Sequence, residues 1–503
     1  MSDGVELVAD AWLPEGEGPF PVLLQRLPYG RSVASTPVLP HPVWFAKHGY
    51  AVVVQDCRGR GDSGGDFEPF VHEGPDGAAT IEWAARLPFS DGRVATYGFS
   101  YQGLSQLYAA AEAPPSLHAI APMMCCPDPY EGWFFEGGAM RWPFVCFWAA
   151  QLAGQELGTG PIPFDTKALP ASEALGPTPP SWFTEWTSHS TDDSFWHTRR
   201  PNLSCISVPA FTVLGWFDDF SSGTAELIDR LGAHAWCGPW GHMPWGAVHG
   251  GVDFGVDASP TPVYDALLRF FDGVFGLRGA RLANPSVRYQ VINEGWRSSP
   301  TWPPKPSSVM ALHGTSRTGN ANSRWGDGVL SPHNTPSESS TLVAEPHVPV
   351  PGHPADYQDE NSVHDRRDVL CFASEPLSDD VVLAGSPSVT LSTRCDQPSH
   401  DVVITLCSVS TEQGARVLTS YAQRQIEPVL PNSPRQWSLT LRPIAVRLRA
   451  GEQLRLTVSA SRFPCYDRNP QTGSISPSVP PGDYRVATIH VDSVSVALPI
   501  IDG

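Results

Sequence analysis

Paired cysteines are missing from this sequence. Ten cysteines occur, at positions 57, 125, 126, 146, 205, 237, 371, 395, 407 and 465, but none makes a Cys-x-x-Cys pair and none falls at metal-ligand spacing with histidine. The pattern speaks against a zinc site and against a disulfide framework, and it leaves scattered thiols of the kind found in cores. No metal and no cofactor is expected. Basic residues are also scarce. Thirty-three Lys and Arg against 52 Asp and Glu give a net charge of −19, so the basic stripe of a nucleic-acid partner is absent and an acidic, solvated surface is expected. Long apolar runs are lacking too. The most apolar charge-free stretch, Trp142 to Gln155, contains Pro143, Gln151 and Gly154 and is too short to span a bilayer, so no membrane partner is expected. Met1-Ser2-Asp3-Gly4 has no basic segment followed by an apolar one, so the expectation is a cytoplasmic chain without a signal peptide. No repeat of fixed period is visible.

What is present is enough for several cores. A chain of 503 residues, 41% hydrophobic, has room for about two to four domains. Glycine and proline, 45 and 52 residues, make it loop-rich at roughly 19%, short of the ~25–30% that marks low complexity.

In order along the chain, Val5–Trp12 alternates like an edge strand, and Pro21–Gln25 and Tyr50–Val54 are short apolar runs suited to strands buried on both faces. Helical patterns over 42–47 and 76–86 alternate with strands at 93–97 and 117–121, which indicates an α/β domain with a largely parallel sheet. From about 126 to 205 strand-like runs cease and aromatics crowd in, Trp133, Phe134, Phe135, Trp142, Phe144, Phe147 and Trp148 among them. This reads as a helical insertion or lid, whose aromatics either pack against the main domain or line a pocket. The sheet pattern resumes at Val208–Leu214 and His234–Cys237 and closes with a helix near Gly276. From about 286 the chain shows many short alternating strands and no long helix, the mark of a β-sandwich or jelly roll.

Gly98-Phe99-Ser100-Tyr101-Gln102-Gly103 lies between the predicted strand at 93–97 and a helix that sets Leu104, Leu107, Tyr108 and Ala111 on one face. A serine at a strand-to-helix turn between glycines has the form of a nucleophile elbow, with the hydroxyl raised above the sheet and the next N–H aimed at a developing oxyanion. The common pattern has glycine two residues after the serine. Here Gln102 takes that place and Gly103 follows it. Serines in Gly-rich turns are ordinary, so the six residues do not decide alone.

Acyl transfer also needs a base, an acid to orient the base, and oxyanion donors. Asp218, in Gly215-Trp216-Phe217-Asp218-Asp219-Phe220, and His242, in Gly238-Pro239-Trp240-Gly241-His242, each follow a predicted strand, and Ser100, Asp218, His242 is the chain order of α/β-hydrolases. Rivals exist: His249 and His197 as the base, and Asp219, Asp56 and Asp62 as the acid.

On these residues the chain resembles the cocaine esterase-like (CocE/NonD) hydrolases, a serine hydrolase superfamily that also includes α-amino acid ester hydrolases and X-prolyl dipeptidyl aminopeptidases. The family elbow is Gly-x-Ser-Tyr-x-Gly, which Gly98, Ser100, Tyr101 and Gly103 match. Further similarity lies in Leu27-Pro28-Tyr29, Arg58-Gly59-Arg60-Gly61-Asp62-Ser63-Gly64, Asp76-Gly77, Trp296-Arg297 and Phe463-Pro464 with Asp467-Arg468-Asn469-Pro470. The family carries more sequence before its first Asp-Gly-Val, here residues 3 to 5. The resemblance implies an α/β-hydrolase domain over 1–125 and 206–285, a helical lid over 126–205 and a jelly-roll β domain over 286–503. It implies catalysis by Ser100, Asp218 and His242 through an acyl-enzyme, an oxyanion hole made by the Tyr29 hydroxyl and the Tyr101 N–H, and a pocket lined by Trp133, Trp148 and Phe220. The partner implied is a small-molecule ester or amide. A homo-oligomer is left open. An aminopeptidase, amino-acid ester hydrolase or acyltransferase of the same superfamily is the alternative, and the first two need carboxylates for the substrate ammonium, with Glu131, Glu136, Asp192 and Asp193 as candidates. A non-enzymatic alternative is an inert hydrolase fold whose β domain binds a ligand.

Overall fold

The computed structural model describes residues 1–32, 38–353 and 357–503. Strands β1 (Ala9–Trp12), β2 (Phe20–Leu27), β3 (Ala51–Asp56), β4 (Ser90–Phe99) and β5 (Leu117–Met123) form a sheet in the order β1-β3-β2-β4-β5, parallel except for β1, which runs antiparallel to β3. Successive side chains of a strand point to opposite faces, and β2 and β3 divide accordingly. Val22, Leu24 and Val53 enter one core with α2 (Glu73–Ala85) and α3 (Tyr101–Ala111). Leu23, Val52 and Val54 enter another that includes Phe45 of α1 (Pro42–Lys47). Burial on both faces explains why β3 reads as an unbroken apolar run rather than as an alternation.

The chain leaves this sheet after β5 and builds the insertion: a hairpin of β6 (Phe135–Glu136) and β7 (Ala139–Met140), then α4 (Trp142–Glu156), α5 (Ser181–Ser188) and α6 (Ser194–His197). It returns with β8 (Phe211–Phe217), α7 (Ser221–Leu231) and β9 (His234–Gly241). A parallel bridge between Ile120 and Ala210 and a bond from Met124 N to Val213 O (2.9 Å) join β8 to β5, so the sheet continues across the insertion. The apolar face of α8 (Thr261–Phe275), with Val263, Leu267 and Phe271, covers the same side as α1.

Ser286–Val291 reads from sequence as the first strand of the β region; the strand forms over Val287–Val291, but it pairs in parallel with β9, and Gly295–Ser299 folds back on it. One residue later Ile292 N donates to Ala445 O at 3.0 Å, which ties the end of this strand to the C-terminal region before the chain folds back. A β-branched run does not say which of two neighbouring sheets it will join. Beyond this point nearly all the regular elements of the C-terminal region, among the described residues, are strands, with a short helix at Asn361–His364. Ala487–Ile501 is its longest strand, and it pairs antiparallel with Ser308–Ser316, Ser340–Ala344, Val381–Gly385 and Ser388–Cys395. The sequence pattern stops it at Val491, where Asp492 and Ser493 interrupt the alternation; Val494, Val496 and Leu498 resume it and are buried. Among the described residues no helix is long and apolar enough to cross a membrane, and no cluster of three His, Cys, Asp or Glu side chains is placed to hold a metal ion.

Candidate active site

Ser100, Asp218 and His242 are each the first residue after a strand, following Phe99 of β4, Phe217 of β8 and Gly241 of β9. The parallel sheet therefore delivers all three to one edge. Ser100 has φ 61° and ψ −131°, a conformation costly for any residue with a Cβ and kept only where its surroundings hold it. Its N–H donates to Met123 O (3.0 Å) and Met124 O (3.2 Å), which pins the turn to the end of β5. The His242 Nε2 lies 3.0 Å from Ser100 Oγ, and its Nδ1 lies 2.8 Å from Asp218 Oδ1. Asp218 is fully buried, so its charge has little water to answer it and acts on the imidazole.

The displaced glycine has a steric cause. A Cβ at Gly103 would stand 2.8 Å from Cys125 Sγ and 3.1 Å from Met123 O, so the chain at the end of β5 leaves no room for a side chain at 103. Gln102 is tolerated because the tight contact falls one residue later. Gly98 answers the other side of the turn, since its Cβ would stand 2.6 Å from that of Gln102.

The donors expected for an oxyanion are beside the serine. Tyr101 opens α3, where the first-turn N–H groups have no intrahelical acceptor. Its ring is buried and its hydroxyl donates to Glu73 Oε1 at 2.8 Å, while Glu73 pairs with Arg26 at 3.0 Å, so the side chain anchors the start of α3 beside Ser100. Tyr29 is half-buried, with Ser100 among the groups that act on its hydroxyl. Trp148 Nε1 donates to the Tyr29 oxygen at 3.0 Å. Burial pushes the Tyr29 hydroxyl pKa well above its ordinary value, which keeps the group a protonated donor.

Trp133, Trp148 and Phe220 come together. Trp133 stacks on Phe220 with centroids 4.4 Å apart and meets Trp148 edge-on at 5.8 Å, and Phe220 sits edge-on to the His242 imidazole at 5.1 Å. All three are buried, so these aromatics pack and also border the triad.

The rivals are engaged elsewhere. Asp56 and Asp62 both pair with Arg31, at 2.6 and 2.8 Å; His197 pairs with Asp192 at 3.2 Å; His249 stacks on Phe217. Asp219 faces Arg442 at 3.7 Å, not His242. The four carboxylates considered for an ammonium also have partners. Glu131 accepts from Gly137 N and the Tyr421 hydroxyl, and Glu136 binds Arg141, Arg442 and the Tyr466 hydroxyl. Asp192 binds Arg200, and Asp193 caps α6 and pairs with His189.

Sequence reasoning missed Arg60. Its guanidinium donates to Pro28 O (2.8 Å), beside Tyr29, and to Leu152 O (3.1 Å) and Gln155 Oε1 (2.9 Å) at the end of α4, which carries Trp148. The signal was present in Arg58-Gly59-Arg60, but nothing in the motif names a partner more than 90 residues away.

Residues 3–244 match the family model of the X-Pro dipeptidyl-peptidases (S15 family), and residues 280–493 match that of the X-Pro dipeptidyl-peptidase C-terminal non-catalytic domain. The cocaine esterase of Rhodococcus sp. (strain MB1 Bresler) is 30% identical over an alignment 537 positions long, gaps included, that spans 94% of this chain and 92% of that esterase. The chain belongs to the cocaine esterase family. Its fold within that family is shared with an aminopeptidase from a marine sediment archaeon, Thaumarchaeota archaeon (TM-score 0.85, 21% identity, 100% of this chain and 95% of the other). It is shared as well with an α-amino acid ester hydrolase (TM-score 0.82, 24% identity, 99% and 95%). At such identities the likeness carries the α/β-hydrolase fold and the all-β C-terminal domain, while membership in the family rests on the esterase match.

Proposed function

We propose that this member of the family is a serine esterase working through Ser100, His242 and Asp218. The observation that carries the reading is the relay of two short contacts, 3.0 Å from Ser100 Oγ to His242 Nε2 and 2.8 Å from His242 Nδ1 to Asp218. His242 takes the proton of Ser100 as Oγ attacks the ester carbonyl, and the Tyr101 N–H and the Tyr29 hydroxyl receive the oxyanion. Collapse expels the alcohol with the proton from His242. Water, deprotonated by the same imidazole, then releases the acid and restores Ser100. Amides would follow the same course with a poorer leaving group. The lid and the β domain wall the site, with Trp133, Trp148 and Phe220 as its apolar border.

An amino-acid ester hydrolase or aminopeptidase would have to seat an ammonium group. The partnered states of Glu131, Glu136, Asp192 and Asp193 favour esters without a free amine. The test is a panel of aryl esters, aliphatic esters, amides and free-amine substrates, together with labelling by a fluorophosphonate. The expected result is one equivalent of label on Ser100, ester turnover, and a loss of about 10⁴-fold or more in kcat in Ser100→Ala. Unlabelled Ser100 with no ester turnover would overturn the reading in favour of an inert, ligand-binding fold.

A further inference from the structure

At the end of the sheet opposite the triad there is a cavity of about 460 Å³. His234 opens β9 and His242 follows its last residue, just as Phe211 opens β8 and Asp218 follows its end. At about 3.3 Å per residue, the strands set the two places roughly 25 Å apart. Phe211 and Phe270, both buried, give the cavity an apolar lining, with ring centroids 5.6 Å apart. The connection between α8 and the strand Val287–Val291 closes one side through Ala280, Arg281, Leu282 and Ala283. A Cβ at Gly273 would stand 2.8 Å from Leu282 Cα, so this connection lies tight on α8.

The same wall carries Arg269 from α8, Arg281 from the connection and Arg288 from the strand. None of the three makes an ion pair or a side-chain hydrogen bond among the described residues. In a chain of net charge −19, three such cations around one apolar lining stand apart. Arg288 is held over the Trp236 ring at 5.2 Å, and Trp236 meets Trp296 at 5.0 Å. The wall's one carboxylate among the described residues, Asp272, is taken by the Tyr50 hydroxyl (2.5 Å) and Arg278 Nε (3.1 Å). His234 also lines the cavity, and its Nε2 is sealed from water without a hydrogen-bond partner. A ligand atom placed there would recover the cost of that unpaired nitrogen. The volume falls within the about 300–1,000 Å³ of sites that enclose a whole small ligand. A wholly apolar occupant would strip water from the guanidinium groups and return nothing, and an inorganic anion would leave the aromatic lining unfilled. An apolar body that ends in an oxyanion answers both, because its oxygens accept forked, charge-assisted bonds from arginine.

We propose that this cavity is a second binding site, for a small amphipathic anion. Its aromatic or acyl body rests on Phe211 and Phe270, and its carboxylate or phosphate meets Arg269, Arg281 and Arg288. The site shares no residue with the triad and stands independently of the esterase reading.

Calorimetry of the full chain with four probes tests it: 3-phenylpropanoate, phenyl phosphate, the neutral 3-phenylpropanamide and inorganic phosphate. At least one of the two aromatic anions is expected to bind about tenfold or more tighter than the amide and than inorganic phosphate, the effect of a charge-assisted hydrogen bond on an apolar body. The tighter of the two identifies the headgroup. Arg281→Gln combined with Arg288→Gln should weaken that anion by about tenfold or more, which separates this cavity from binding beside Ser100. Both side chains lack polar partners, so thermal unfolding without ligand should stay unchanged and show the fold intact. Leu282→Asp, a second variant at an exposed position, places a carboxylate on the wall and should weaken the anion as well. Binding of neither aromatic anion, binding no tighter than that of the amide, or anion binding that both variants leave unchanged overturns the site.

Discussion

Ser100 Oγ must stand clear of the helix that follows it, and the positive φ of Ser100 holds it there while Gly98 and Gly103 admit the close approach of α3. The proposed mechanism gives two tyrosines different duties. Tyr101 spends its hydroxyl on Glu73, so its side chain is structural and only its backbone N–H is proposed for the oxyanion. Tyr29 is proposed to give its hydroxyl. Tyr29→Phe should therefore lower kcat by about 10²–10³ with KM little changed, the loss typical of one oxyanion donor. Steady-state kinetics on a neutral aryl ester measure it, and full activity in the variant would remove Tyr29 from the site. The meeting of Ser100, His242 and Asp218 was legible in the sequence because chain order and strand ends constrain them jointly. The Trp148 bond to Tyr29 was not, since it joins side chains 119 residues apart on a loop and a lid helix.

Between elements, the contact that matters most for chemistry is the one Arg60 makes. Its planar fork reaches the carbonyl before Tyr29 and the C-terminal turn of α4 at once, so the loop of Tyr29 and the helix carrying Trp148 are set by one side chain. Lysine has the charge but a single point donor, and it cannot serve both. Arg60→Lys is expected to lower kcat by about tenfold, consistent with the partial misplacement of one donor. A merely structural role would lower activity equally in any background. Arg60 as a positioning residue predicts that Arg60→Lys adds almost nothing to Tyr29→Phe, and a double-mutant cycle reads this directly. The elements themselves were largely legible from period and propensity. Exceptions occurred where a strand had a choice of partners, as Val287–Val291 did between β9 and the β domain, or where a polar pair interrupted alternation, as Asp492-Ser493 did within Ala487–Ile501.

Across the whole molecule, the β6–β7 hairpin of the lid is the point where insertion and β domain lock. Gly137 O accepts from Arg424 N and from Gln423 Nε2, both at 2.8 Å, Asp467 N donates to Met140 O at 3.0 Å, and Tyr421 OH donates to Glu131 at 3.1 Å. None of this was legible in sequence, because the partners lie near 300 residues apart and Glu131 and Glu136 look there like free carboxylates. Glu136 is held charged by two arginines, but Glu131 is not: burial, with Glu136 nearby, raises its pKa from the ordinary 4.5 to about 7. The sign of the consequence follows from proton counting. Between pH 4.5 and 7 the native chain keeps the Glu131 proton that the unfolded chain has lost, so stability falls as pH rises; the contribution is complete below about 4.5 and gone above about 7. Its size is on the order of 3 kcal/mol, since each pK unit is worth about 1.4. Glu131→Gln keeps an acceptor for Gly137 N and carries no charge to bury. Thermal unfolding at pH 5 and pH 8 should show the wild-type chain losing stability over that interval relative to Glu131→Gln, with the variant the more stable at pH 8. Equal pH dependence in the two proteins would place the junction's pH sensitivity on a group other than Glu131.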